Sequence, residues 1–191
     1  MRCLICGMNI NVNNFDMNNK SLLEENEIEH MKYCPFCGVT SKYLKSKDEA
    51  EVYKVDSQCL DKNTLGILER AMKLEIFNSE FYSAAAQLAQ EAGVKETFED
   101  LSKIEKIHAI VHQRLGGFKE LPKLAVIDYS KHKNDISLMQ LAEDREIHAV
   151  KFYEKYSKEI NNLVVKEVLV ALSEVERGHI QIASKLLTHI L

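Results

Sequence analysis

Two Glu-x-x-His segments, Glu105-Lys-Ile-His108 and Glu176-Arg-Gly-His179, each follow a lone glutamate on the preceding helical stretch, Glu75 and Glu146. Four carboxylates and two imidazoles make a ligand set for two cations, and hard oxygen with some nitrogen suits iron or manganese. Carboxylates can bridge and neutralise two cations while shifting between one- and two-oxygen coordination, which leaves room for dioxygen or peroxide. The imidazoles complete each ion as terminal ligands. All six residues repeat at one offset of 71 positions (105 to 176), and Tyr82 returns as Tyr153 at the same offset. So do apolar residues that bind nothing: Phe81 and Phe152, Val94 and Val165, Leu101 and Leu172, Leu115 and Leu186. A match that covers packing positions as well as ligands reads as a duplication.

Helical phase places these residues. Steps of three and four lead through Leu68, Met72, Glu75, Ser79, Tyr82 and Ala86, then through Val94, Phe98, Leu101, Glu105, His108, His112 and Leu115. The second half gives Met139, Ala142, Glu146, Ala149 and Tyr153, then Val165, Leu169, Leu172, Glu176, His179, Ala183 and Leu186. Each seam is apolar except at its centre. A bare carboxylate there faces a desolvation cost of several kcal/mol, so something positive must sit among the four glutamates. Two metal ions answer that need. Tyr82 and Tyr153, two turns from the glutamates of their own helices, are open to two roles: a hydrogen bond to the site, or packing with a satisfied hydroxyl. His112 has Ala183 as its copy and reads as a core or supporting histidine rather than a third nitrogen ligand. Gly178 costs about 1 kcal/mol against alanine within a helix, and its missing side chain would give space near the metals. A third Glu-x-x-His, Glu27 to His30, has no upstream partner and reads as no site.

A second constellation is sulfur. Cys3-Leu-Ile-Cys6-Gly7 and Cys34-Pro-Phe-Cys37-Gly38 each carry glycine after the second cysteine, where a tight knuckle can aim backbone N–H groups at sulfur. Two such knuckles make a tetrahedral tetrathiolate site. Cys59 stands alone and reads as an ordinary thiol.

The elements that must position these groups follow from the breaks. Residues 1–45 form a small module that needs a metal staple, 46–62 a linker, and 63–191 four long helices. The helices break near Gly93, between Gly116 and Asn134, and at Asn161-Asn162. The outer breaks are short and imply antiparallel hairpins, whereas the middle one can cross the length of a bundle. The fold class is therefore mainly α, a ferritin-like four-helix bundle preceded by a rubredoxin-like or zinc-ribbon module. A formal charge of −4 without a basic stripe argues against nucleic acid as a partner. No stretch is apolar enough to span a bilayer, and the start lacks the pattern of a signal peptide, which makes the cytoplasm the default.

With both constellations in place, the chain resembles the rubrerythrins, in particular those in which the rubredoxin-like module precedes the bundle. Cys3, Cys6, Cys34 and Cys37 match the knuckles; Glu75, Glu105, His108, Glu146, Glu176 and His179 match the di-iron set. The resemblance implies a non-haem iron oxidoreductase that reduces hydrogen peroxide, with two iron ions (or manganese) in the bundle and iron or zinc at the cysteines. It also implies a homodimer in which one chain's cysteine iron approaches its partner's di-iron pair. Hydrogen peroxide or dioxygen is the expected oxidant, and an electron donor is required. Two departures stand out. Rubrerythrins carry a further glutamate one turn after the third-helix ligand, where this chain has Ala149, with Glu143 one turn to the other side; Met8 replaces an aromatic residue of rubredoxins. The alternative function is an iron-binding or iron-sensing protein with a structural zinc and no peroxidase turnover.

Overall fold

The computed structural model describes residues 1–132 and 134–190; Lys133 and Leu191 lie outside the described residues. Four helices dominate: α1 (Lys62–Leu88), α2 (Ala92–Gly116), α3 (Asp135–Tyr156) and α4 (Leu163–Ile190). Their ends follow local chemistry. Asp61 caps α1 by accepting from the Thr64 backbone N–H at 2.9 Å, and Asn134 caps α3 through the Ser137 N–H at 2.8 Å. Gly117 ends α2 with φ of 66°, a left-handed conformation that favours glycine. Asp135, the first residue of α3, accepts from the backbone N–H groups of Gln90 and Glu91, so one helix start fastens the turn between α1 and α2.

The buried residues run along the expected seams. Met72, Glu75, Ser79 and Tyr82 are buried on α1, and Leu101, Glu105, His108 and His112 on α2. Met139, Ala142, Glu146, Ala149 and Tyr153 follow on α3, and Leu172, Glu176, His179 and Ala183 on α4. Burying each large apolar side chain contributes about 1.5–3 kcal/mol, which is what holds the polar centre in place. Tyr82 of α1 reaches Glu146 of α3 while Tyr153 of α3 reaches Glu75 of α1, so these helices run antiparallel. That direction requires the long crossover between α2 and α3, the connectivity of a ferritin-like bundle. The crossover is pinned where Arg145 lies over Phe77 and Phe81, at 4.1 and 4.3 Å from the ring centres, and donates to the Tyr129 hydroxyl at 2.7 Å. No helix among the described residues is long and apolar enough to cross a membrane.

The amino-terminal module is built on a two-stranded antiparallel ribbon, β1 (Arg2–Cys3) against β2 (Leu44–Lys45). Both knuckle glycines are left-handed, Gly7 at φ of 81° and Gly38 at 70°. Their N–H groups close on the carbonyls of Cys3 and Cys34, at 3.0 and 2.9 Å. The module is not a free appendage. Cys37, Val39 and Tyr43 share one apolar cluster with Ile67, Leu68, Val111, Leu172 and Val175 of the bundle. The segment at 46–62 also packs, with Tyr53, Val55 and Leu60 partly buried against that cluster and a short 3-10 turn at Ser57–Cys59. Gly38 sets the approach to α4, since a Cβ there would stand 2.8 Å from Val175.

Candidate metal centres

The sulfur site is closed and tetrahedral in proportion. Cys3 and Cys37 place their Sγ atoms 3.7 Å apart, as do Cys6 and Cys34, and all four lie within 4.8 Å of one another. A tetrahedral metal with bonds of about 2.3 Å to sulfur would set its ligands roughly 3.8 Å apart, so the donors fit a single ion of iron or zinc. Without one the thiols cannot all ionise. Burial pushes Cys34 and Cys37 well up, while hydrogen bonds from Cys34, Cys37 and Cys6 lower Cys3. Arg114, on α2, donates to the carbonyls of Cys6 (3.0 Å), Ile5 and Tyr53 (3.3 Å). No sequence signal marked this arginine, because its partners are backbone atoms of a distant segment.

All six residues expected in the bundle centre converge and are essentially without exposure. They form two overlapping groups, Glu75, Glu105, His108 and Glu176, and Glu105, Glu146, Glu176 and His179, each with ligand atoms within 4.8 Å of one another. Glu105 and Glu176 belong to both groups and so occupy the bridging positions; Glu75 and Glu146 are terminal. His108 Nδ1 stands 3.2 Å from both Glu105 and Glu176, and His179 Nδ1 stands 3.1 and 2.9 Å from the same two residues. The buried oxygens Glu75 Oε2 and Glu146 Oε2 have no hydrogen-bond partner among the described residues. Oxygen lone pairs left bare in a dry interior are costly, and two cations would occupy them. The donor set therefore fits a pair of iron or manganese ions.

The four glutamates divide by their surroundings. Burial, then the charges of Glu105 and Glu176, push Glu75 and Glu146 well above the usual carboxylate range. Burial alone would lower the imidazoles, but hydrogen bonds to Glu105 and Glu176 outweigh it, raising His108 and bringing His179 to about 10. In return the two histidines hold Glu105 and Glu176 below the usual range against burial.

The tyrosines act at the site, each serving the opposite half. Tyr82 donates to Glu146 Oε1 and Tyr153 to Glu75 Oε1. His112 backs Tyr153, with Nε2 at 2.8 Å from the hydroxyl, and burial together with the charge of His108 lowers it to about 3, which keeps it neutral. Tyr82 has only Ala183 at the equivalent position. Glu143 accepts from Ser184 Oγ at 3.0 Å and belongs to neither cluster, and Ala149 is buried without a polar group, so among the described residues no seventh carboxylate joins the centre. Glu27 and His30 face each other across an exposed turn, and Cys59 is exposed.

The two centres meet through one residue. His108 Nε2 donates to the Cys37 carbonyl at 3.0 Å while its Nδ1 faces the bridging glutamates. Within the chain, the cysteine module and the bundle centre are thus in direct contact. Tyr43 strengthens the same junction by donating to Glu167 of α4 at 2.7 Å.

The rubrerythrin family model matches residues 66–187. No curated protein and no solved structure gives a match to the chain. The match spans more than half of the chain and includes every bundle ligand, and the chain belongs to the rubrerythrin family.

Proposed function

We propose, from this membership of the rubrerythrin family and from the paired centres, that the protein is a non-haem di-iron oxidoreductase that reduces hydrogen peroxide to water. Two electrons and two protons convert one peroxide molecule to two of water. Iron at Glu75, Glu105, His108, Glu146, Glu176 and His179 would supply the electrons, replenished through iron at Cys3, Cys6, Cys34 and Cys37. The observation that carries this reading is the His108 imidazole, whose two nitrogens touch both centres: Nδ1 the bridging glutamates, Nε2 the Cys37 peptide.

The chain's own residues have definite tasks. The Cys37 carbonyl fixes the His108 tautomer so that Nδ1 is the nitrogen offered to a metal. Tyr82 and Tyr153 hold Glu146 and Glu75 in orientation and stand as proton donors at carboxylate oxygens. The surrounding apolar seam keeps bulk water out, which sharpens every charge inside it. A homodimer remains part of the proposal, though the relay as drawn needs only one chain. The reaction sits in a soluble compartment with an external reductant feeding the cysteine centre.

Replacing Cys34 and Cys37 by serine tests the relay. Peroxide turnover with an external reductant should be abolished, while a single oxidation of the pre-reduced bundle by peroxide should remain. Equal steady-state turnover in mutant and parent would leave the cysteine module a structural part. Ala149 favours one second reading, an iron-holding protein with structural zinc and no turnover, because the carboxylate that moves with redox state in relatives of the family has no equivalent here. Zinc at the cysteines of protein grown in iron-replete medium would support it, since zinc relays no electrons.

A further inference from the structure

The duplicated histidines differ at the nitrogen that faces away from the glutamates. His108 Nε2 is satisfied by the Cys37 carbonyl at 3.0 Å. His179 Nε2 is buried and finds no hydrogen-bond partner among the described residues. With Nδ1 turned to Glu105 and Glu176, it is Nε2 that carries a hydrogen toward the far side of the ring. His179 is also among the residues lining a cavity of about 100 Å³ between α4 and the cysteine module, with Gly178, Leu23, Tyr33, Thr40 and Glu174. Glu174 is exposed and opens the cavity to solvent, whereas His179 is 1% exposed at its inner end.

We propose that this cavity is a binding site for a water-sized hydrogen-bonding molecule, water at rest and hydrogen peroxide when present, anchored by His179 Nε2 and kept open by Gly178. The proposal rests on the peroxide reading for the identity of its second ligand. Several features converge on it. A buried N–H donor without a protein acceptor calls for a small acceptor beside it, and polar pockets of this kind hold ordered water. A cavity of this size takes a few waters, each needing about 10–15 Å³ by the same measure, and a peroxide molecule is only slightly larger than water. Leu23 limits the space: a Cβ added at Gly178 would already touch its Cγ and Cδ1 at 3.5 Å. The glycine within α4, costly to a helix, thereby has a reason. The two halves then divide the work, one imidazole turned to the cysteine centre and the other to the solvent port.

The test uses zinc-loaded protein, in which no turnover can occur, with imidazole nitrogens labelled for NMR. The His179 Nε2–H signal should exchange magnetisation with water and shift as hydrogen peroxide is added, while the His108 signal, bound to a carbonyl, does neither. A bulky alkyl hydroperoxide should shift neither signal. Gly178→Val should abolish both responses of His179. If that variant does not fold, Leu23→Ala decides the matter: the enlarged cavity should admit the bulky hydroperoxide, giving the His179 shift that the parent lacks. Equal responses of the two histidines, a peroxide response surviving Gly178→Val, or continued exclusion of the bulky hydroperoxide from Leu23→Ala would each overturn the proposal. Because the zinc protein holds no redox-active metal, these outcomes are independent of whether the iron-loaded protein turns peroxide over.

Discussion

The first half of the bundle, α1 with α2, and the second, α3 with α4, carry the same ligands at the same helical phase, yet the groups behind those ligands differ. Both halves pack against the cysteine module, but in the first His108 is capped by its peptide carbonyl. The second half has a small cavity behind His179. His112 gives one tyrosine a hydrogen-bonded backing that Ala183 denies the other. Duplication supplied a symmetric cradle for two cations, and asymmetry entered only in the layer behind the ligands.

The strongest way to break this comparison is at the bridging glutamates, which both halves share. In metal-free protein Glu105→Leu leaves two imidazoliums facing a single carboxylate, and should cost about 3–5 kcal/mol in urea unfolding. Glu75→Leu removes a carboxyl that burial pushes toward its neutral form and should cost only about 1–2 kcal/mol, chiefly the hydrogen bond from Tyr153. Either change should abolish the paired-metal site. Equal destabilisation by the two would mean that bridging and terminal roles are wrongly divided.

A change of pH sharpens the same point. The folded pKa values of His108 and His179 are raised above 6.5, the latter to about 10. Their stabilisation is therefore fully present below pH 6.5 and lost as pH rises toward 10. Glu105 and Glu176 are lowered, so theirs is present above pH 4.5 and lost on further acidification. Metal-free protein should be most stable between these limits and weaken on the alkaline side, by thermal melts across pH. Loading two divalent ions near pH 7 should release protons, among them the one that His179 holds with a pKa of about 10, measurable in a weakly buffered titration. Release of none would contradict the charged, glutamate-bound state of that imidazole.

The smallest expected difference lies between the tyrosines. Tyr153→Phe strips a partner from both Glu75 and His112 and should cost about 2–3 kcal/mol, against about 1–2 kcal/mol for Tyr82→Phe. In a His112→Ala background the two should become alike, which a double-mutant cycle by urea unfolding would read directly. A gap that persists without His112 would locate the asymmetry elsewhere.

Much of this was legible in the sequence because ligands and packing residues share one repeat and one helical phase. Glu75, Glu105, His108, Glu146, Glu176 and His179 could be found from spacing, and the break between Gly116 and Asn134 announced the crossover. What spacing could not carry was the docking of the module. The His108 contact to the Cys37 carbonyl, and Arg114 reaching Cys6 and Ile5, join side chains to backbone atoms of a remote segment, and backbone atoms leave no residue signature. The division of the glutamates into two kinds was hidden for a related reason. It depends on which carboxylates lie between both imidazoles, and that is a property of three dimensions.

The central claim of the proposed function is that electrons pass from the cysteine centre to the bundle within one protein molecule rather than by collision, and it is tested most directly by mixing anaerobic, iron-loaded, fully reduced protein with one equivalent of hydrogen peroxide in a stopped-flow spectrometer. The account predicts that the thiolate-to-iron absorption of an oxidised cysteine centre grows in after the bundle is oxidised, at a first-order rate independent of protein concentration. A cysteine centre that stays reduced while the bundle is oxidised, or a rate that scales with protein concentration, would contradict it.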